Sequence, residues 1–259
     1  MKLTIVGSSG SFGAPGNACS CYLVEHDGFR LVLDFGNGAL AELQRYGSLY
    51  DIDAVILSHL HADHCVDMCG YYVARKYAPE GGDRPTGLLP VWGPVDTRQR
   101  IADAYDTDPG DCDTVFHFRS LLEGAPDGAT ANTFEVGPFT VTATRVDHPV
   151  EAYALRLEAD GSVLVYSGDT GPCEALDRLA GDCDLLLAEA SFQEPRDDDV
   201  LGVHLNGRQA GECAAAARAG RLVLTHIPPW TDAELNLAAA KAAFAGGVEV
   251  ARPGAEYRV

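Results

Sequence analysis

The spacing of apolar residues along the 259-residue chain changes period repeatedly, and each change predicts an element. Residues 2–6, 20–25 and 30–34 are short runs rich in Val, Ile and Leu that read as strands, the first followed by a Gly- and Ser-rich turn reaching Gly16. A helix is expected near 38–46. Ile52-Asp-Ala-Val-Ile-Leu57 reads as a buried strand, and a further helix is expected near 67–78. Residues 79–132, rich in Gly, Pro and Asp, read as a looser insertion. It carries Leu89-Pro-Val-Trp-Gly-Pro94, a helix near 95–104 and an acidic turn at 106–113. Strands dominate 133–167, including the alternating run Thr140-Val-Thr-Ala-Thr-Arg-Val146 and Ser162-Val-Leu-Val-Tyr-Ser167. Helix and strand then alternate: a helix at 173–180, a strand at 184–189, an Ala-rich helix at 207–219, a strand at 221–225, a helix at 231–244 and a terminal strand. The order suggests two pseudo-repeated halves within one domain spanning 1–259.

Several of these strands end in groups that bind metals. Ser58-His-Leu-His-Ala-Asp-His-Cys65 follows the strand at 52–57 and packs three imidazoles and a carboxylate into six residues: His59, His61, Asp63 and His64. A period of two puts His59 and His61 on one face. Asp63 and His64 come after the turn, within reach of a second ion. Three other strands end the same way: 140–146 runs into Asp147 and His148, 162–167 into Gly168 and Asp169, and Arg221-Leu-Val-Leu-Thr225 into His226 ahead of Pro228 and Pro229. Imidazole with carboxylate suits two divalent ions, zinc first, with manganese or iron compatible with such a mixed donor set.

This order of motifs resembles the metallo-β-lactamase superfamily over nearly the whole chain, beginning with Asp34 in Leu33-Asp-Phe-Gly36. The resemblance implies an α+β fold, the four-layered αββα sandwich. It implies that His59, His61 and His148 hold one metal, that Asp63, His64 and His226 hold the other, and that Asp169 bridges them. Asp34 would orient a ligand from behind. The implied chemistry is hydrolysis, with the ions activating water and stabilising developing charge, and Asp63 counts among the catalytic residues.

Two further segments bear on the reaction. Leu185-Leu-Leu-Ala-Glu-Ala-Ser-Phe192 is similar to the acid-bearing segment of the transfer-RNA 3′-processing phosphodiesterases, with Glu189 at the acid position and Ala188 where those enzymes have His. His204, in Val203-His-Leu-Asn-Gly207, is similar to their loop histidine. The implied pair is a Glu that orients a His, which then protonates the leaving alkoxide. Those enzymes commonly carry an RNA-gripping arm between the third His and the bridging Asp, yet only 20 residues separate His148 from Asp169 here.

Charge also argues against RNA. With 19 Lys plus Arg against 38 Asp plus Glu the net charge is −19, and two divalent ions would leave −19 + 4 = −15, whereas a phosphate polymer draws its affinity from basic contacts. The chain looks closest to the actinobacterial atypical class II cyclic-nucleotide phosphodiesterases, on Ser58–Cys65, Tyr166-Ser-Gly-Asp-Thr-Gly171 and Leu224-Thr-His-Ile-Pro-Pro-Trp230. That resemblance implies hydrolysis of cyclic 3′,5′-nucleotides such as cAMP to 5′-monophosphates. Alternatives are a transfer-RNA 3′-endonuclease, a lactonase or thioesterase, and a metal-binding module without catalysis. Many lactonases follow the metal motif with a double glycine, where this chain has Cys65-Val-Asp67; a metal-binding module has no need of Glu189 and His204. Trp92, Phe192 and Trp230 are candidates for stacking on a base.

The expected partners are a small nucleotide substrate, with no nucleic-acid polymer and no membrane; a homodimer is left open. The N-terminal stretch lacks the apolar core of a signal peptide, which makes a cytoplasmic location the expectation. The eight cysteines lack zinc-ribbon spacing and read as reduced thiols, with Cys65 beside the metal loop the one that oxidation could exploit.

Overall fold

The computed structural model describes residues 1–79 and 87–259. In chain order the first half contributes β1 (Lys2–Ser9), β2 (Ala18–Cys19), β3 (Cys21–His26), β4 (Phe29–Leu33), β5 (Ala54–Ile56), β6 (Leu89–Gly93) and β7 (Phe116–Ser120). With them come α1 (Ala39–Leu43), α2 (Ala62–Cys65), α3 (Met68–Lys76), α4 (Thr97–Tyr105) and α5 (Pro109–Cys112). The second half contributes β8 (Ala131–Val136), β9 (Phe139–Arg145), β10 (Tyr153–Ala159), β11 (Ser162–Tyr166), β12 (Leu185–Glu189), β13 (Arg221–Thr225) and β14 (Gly247–Val250). Its helices are α6 (Glu174–Leu179), α7 (Gly207–Ala217) and α8 (Ala233–Ala243), and β15 (Glu256–Arg258) closes the chain.

Two sheets result, and each is built on the same plan. The first runs β15-β1-β3-β4-β5-β6-β7, with β2 on β1; the second runs β14-β13-β12-β11-β10-β9-β8. Along the first, pairing is antiparallel from β15 to β4 and parallel from β4 to β7. Along the second it is antiparallel from β8 to β11 and parallel from β11 to β14. The sheets share a core of Leu3, Ile5, Tyr22, Leu33, Val141, Leu155, Leu164 and Leu187 between them. A second cluster lies under α6, α7 and α8, and a third under α1, α3 and α4. The layers are therefore helix, sheet, sheet, helix, the expected αββα sandwich.

Hydrophobic pattern explains which strands lie where. β12, Leu-Leu-Leu-Ala-Glu, is buried at every position because helices cover one face and the other sheet covers the opposite face, as parallel strands require. β9 alternates buried and half-buried residues, which suits its place near an antiparallel edge. The insertion expected to be loose is more ordered than its composition suggests. β6 and β7 extend the parallel side of the first sheet, with α4 and α5 packed outside. Among the described residues Gly93 and Pro94 mark the end of β6 and Pro109 the start of α5; residues 80–86 lie outside the described residues.

In both sheets the direction of pairing switches next to a strand that leads into a site residue. β4 leads into Asp34 and β11 into Asp169. A crevice at the C-terminal ends of parallel strands, where strand order switches, is the usual place for a ligand in an open sheet.

Candidate metal centre

The first half of the centre is organised by Asp34, a fully buried carboxylate just past β4. Its Oδ1 accepts from the Ser58 amide at 2.7 Å. Its Oδ2 accepts from Ser58 Oγ at 2.8 Å, from Tyr166 OH at 2.6 Å and from His64 Nδ1 at 2.8 Å. Beyond β5 the chain passes Ser58 and His59, then turns into α2, so Asp63 and His64 sit in a first helical turn and not in an open loop. Gly36 allows this turn to lie against the β4 exit, since a Cβ there would run into the Asp63 carbonyl. The Phe35 amide donates to the His64 carbonyl at 2.7 Å, which locks the contact.

The second half supplies its groups from separate strand ends. His148 follows β9, Asp169 follows β11, and His226 follows β13. Asp34 and His226 both adopt left-handed backbone, with φ of 58° and 52°. Such conformations cost a non-glycine residue on the order of 1 kcal/mol or more and recur where function dictates geometry. Gly10 admits His226, because a Cβ on it would strike the His226 carbonyl.

Hydrogen bonds settle which ring nitrogen each histidine offers. Carboxylate and carbonyl oxygens only accept, so His64 Nδ1–H donates to Asp34, and His148 Nδ1–H donates to the Val203 carbonyl at 2.9 Å. Ser58 Oγ spends its proton on Asp34 and so accepts from His59 Nδ1–H at 3.1 Å. Ser191 Oγ donates to the His226 carbonyl at 2.8 Å and accepts from His226 Nδ1–H at 2.7 Å. Nδ1 is thereby occupied in all four rings and Nε2 faces inward, where an ion would take the place of the protons that His226 and His64 otherwise direct at Asp63 and Asp169, at 3.0 and 3.2 Å.

The donors fall into two groups. His59, His61, His148 and Asp169 offer atoms within 4.8 Å of one another, and so do Asp63, His64, Asp169 and His226, with Asp169 common to both. His59 Nε2 and His148 Nε2 lie 3.1 and 3.2 Å from His61 Nδ1, and His64 Nε2 lies 3.0 Å from His226 Nε2. Facing lone pairs at such separations repel unless a cation or proton lies among them. Nitrogens about 2.0–2.1 Å from a tetrahedral zinc lie about 3.3–3.4 Å apart, close to these spacings. Asp169 Oδ1 is buried with no hydrogen-bond partner, a costly state that a cation relieves. The donor set fits two divalent ions.

Electrostatics point the same way. Burial opposes charge on His64, but the Asp169 and Asp34 carboxylates outweigh it and hold that imidazole well above its ordinary value. Burial also opposes ionisation of Asp169, yet His226, His64 and His59 hold its carboxyl well below the carboxylate range. Asp63 is lowered too: burial works against ionisation, and the hydrogen bond from His226 and the charge of His64 prevail. His59 is pushed well below its usual value, first by burial and then by His64. Carboxylates buried on this scale demand positive charge beside them.

Glu189 ends β12 fully buried. Its two oxygens lie 3.0 and 3.1 Å from His204 Nδ1, and the Thr170 amide donates to it at 2.6 Å. Burial lowers the His204 pKa, but the charge and hydrogen bond of Glu189 and the charge of Asp169 outweigh burial and bring it up to about 9. The ring lies 5.5 Å from His148 and 5.6 Å from His226, centre to centre, above both donor groups. Asn206 caps α7 with a full capping box, which sets the approach of His204 to the site.

Other expectations divide. Trp92 is buried and stacked on Phe134 at 5.9 Å, so it belongs to the core and cannot receive a base. Phe192 lies edge-on to His204, and Trp230 is exposed nearby. The Cys65 thiol is buried, and burial pushes it up to about 11, which makes it a poor target for oxidation. Ser58, Ser191 and Tyr166 were not anticipated from the sequence: isolated hydroxyls carry no spacing signal, and only the fold brings them to Asp34 and His226.

The family profile described as the Beta-lactamase superfamily domain matches residues 30–227. The chain belongs to this superfamily. An uncharacterized protein of Mycobacterium leprae, ML1173, is 40% identical over 264 residues, spanning 100% of this chain and 89% of its own. The probable metallo-hydrolase YhfI of Bacillus subtilis is 32% identical over 255 residues, 98% of each chain. The crystal structure of YhfI superposes with a TM-score of 0.85 at 30% identity, covering 99% of this chain and 98% of that one. Ribonuclease Z of Myxococcus xanthus is 28% identical over 304 residues, 98% of this chain and 96% of its own. This β-lactamase superfamily member is a metal-dependent hydrolase. No helix among its described residues is long and apolar enough to cross a membrane.

Proposed function

We propose that the protein is a dinuclear phosphodiesterase that hydrolyses cyclic 3′,5′-nucleotides such as cAMP to 5′-monophosphates, with zinc as the first candidate ion and manganese the second. The Glu189–His204 pair carries this reading. An alkoxide leaves poorly from phosphorus unless protonated, and His204, held by Glu189 through Nδ1, keeps Nε2 free to deliver a proton. Thioesters, whose thiolate leaves readily, have less need of such an acid. Divalent ions bound at the two donor groups would supply water activation near neutral pH and Lewis-acid stabilisation of phosphoryl charge.

The residues then divide the work. His59, His61 and His148 form one wall of the site, and Asp63, His64 and His226 the other, with Asp169 between them. Water adds to phosphorus, the bond from phosphorus to the 3′ oxygen breaks, and His204 hands its proton to that oxygen. Glu189 keeps the ring charged and aimed until transfer.

The ribonuclease Z relative favours a second reading, cleavage of precursor transfer RNA. Two observations speak for the small substrate. The interval from His148 to Asp169 is filled by the β10–β11 hairpin, and the net charge is −19. A long polyanion finds little to bind on such a surface.

Turnover of cAMP, precursor transfer RNA and a lactone on metal-loaded protein tests the reading. Expected is preference for cyclic mononucleotides with weak dependence on salt, because few counterions are released. Precursor RNA cleaved more efficiently than cAMP, with rates falling steeply as salt rises, would transfer the assignment to RNA processing.

A further inference from the structure

Beside the metal centre lies a cavity of about 520 Å³, lined by Ser11, Ser191, Phe192, Arg196, His204 and Trp230 among others. Clefts for small ligands commonly measure about 300–1,000 Å³. This one is continuous with the candidate chemistry. Ser191 holds His226, His204 is the candidate acid, and the Ser11 amide donates to Asp63 Oδ2 at 2.8 Å. A molecule filling it would abut both the donors and the acid.

Its wall is aromatic and exposed. Trp230 is 61% exposed and Phe12, packed against it at 4.8 Å and 47°, is 43% exposed. A large apolar pair left open to water at the rim of a catalytic cleft costs free energy unless a ligand covers it. Apart from the candidate acid His204, the lining carries one cation, Arg196, and it is already engaged. Arg196 pairs with Asp197 through Nε at 3.0 Å and Nη2 at 2.7 Å. It also donates to the Trp230 carbonyl at 3.2 Å and to Thr231 Oγ1 at 3.0 Å. Arg196 therefore fastens the Trp230 segment in place and has little charge to offer a second phosphate. The cavity suits a flat, uncharged ring.

We propose that this cavity seats the nucleobase of the substrate, with the Trp230 indole as its stacking face, Phe12 behind it and Arg196 as a positioning residue. The proposal rests on the phosphodiesterase reading and adds to it the direction in which the nucleotide lies: phosphate over the donors, base toward Trp230. Stacking of one base on an aromatic side chain is worth about 1–3 kcal/mol, roughly 5- to 150-fold in binding.

Two measurements test it. In the first, kcat/KM for cAMP is divided by kcat/KM for a base-free diester, ribose 3′,5′-cyclic phosphate. Trp230→Ala should lower that ratio about 10-fold through KM, and Trp230→Phe should restore most of it. A ratio unchanged by Trp230→Ala overturns the proposal, as does a fall in solution mass with the ratio intact, which would make this face a contact between copies. The second measurement needs no turnover. The chain has two tryptophans, so Trp92→Phe leaves Trp230 as the only indole. Adenosine 5′-monophosphate should quench its fluorescence saturably, and ribose 5-phosphate should not. If the wild type fails to hydrolyse any cyclic nucleotide, the phosphodiesterase reading falls alone and the titration decides the base seat: saturable quenching by the nucleotide supports it, and equal or absent quenching by both ligands overturns it.

Discussion

The two halves of the chain furnish the same centre in opposite ways. The first half delivers four donors within six residues, His59 to His64, all from the exit of β5 and one short helix. The second half sends His148, Asp169, Glu189 and His226 from the ends of β9, β11, β12 and β13, four strands of one sheet. Support differs accordingly. Asp34 reaches both donor groups from the first half, through Ser58 to His59 and directly to His64. In the second half each histidine ligand has its own prop: Val203 behind His148 and Ser191 behind His226. A dense motif can share one buried anchor, whereas scattered donors must each be held where their strand ends.

The largest test of this contrast falls on the group the halves share. Asp169→Ala should abolish ion binding at both donor groups and bring hydrolysis to background, read by elemental analysis and turnover on the same sample. The unsubstituted protein should carry two ions per chain. One ion or fewer in active protein would end the dinuclear reading.

Next comes the pair that belongs to the second half alone. His204→Ala should keep both ions and slow hydrolysis of cAMP by about 10²–10⁴-fold. An aryl phosphodiester, whose leaving group needs little protonation, should lose far less. Equal losses on the two substrates would remove His204 from the acid role.

Props should then rank below ligands. Asp34→Asn replaces a carboxylate accepting four hydrogen bonds, and should weaken both ions toward the upper end of the 10–100-fold range for residues behind a ligand. Competition with a chelator of known affinity measures each ion. Ser191→Ala, which touches only His226, should weaken one ion by about 10-fold and leave the other in place. If Asp34→Asn affected a single ion, or Ser191→Ala both, the contrast between shared and individual support would fail.

Legibility followed the same division. The first-half motif could be read directly because its donors are neighbours in sequence, and short-range periodicity places neighbours without knowledge of the fold. The strand-end donors of the second half were readable one at a time, each as a polar residue at the end of an apolar run. The order of the insertion at 79–132 is hidden in its composition, because Gly and Pro mark the end of β6 at Gly93 and Pro94 and the start of α5 at Pro109 as readily as they mark loops. Trp92 offers no base a surface because its strand turns it into the core between the two sheets, against Phe134, a placement that residue type alone does not reveal.

The sequence by itself determined the alternation of strands and helices, the donor types at the strand ends and the acidity of the surface, since these depend on residue identity and spacing over a few positions. Tertiary structure alone decided what those donors can do together. Pairing of β4 with β5 brings Asp34 under Ser58. The packing of one sheet on the other brings Tyr166 to Asp34. The parallel run from β11 to β13 sets Asp169, Glu189 and His226 side by side. Contacts between residues more than a hundred positions apart have no local signature, because they form only when two apolar sheet faces leave water together and fix the register of everything at their edges.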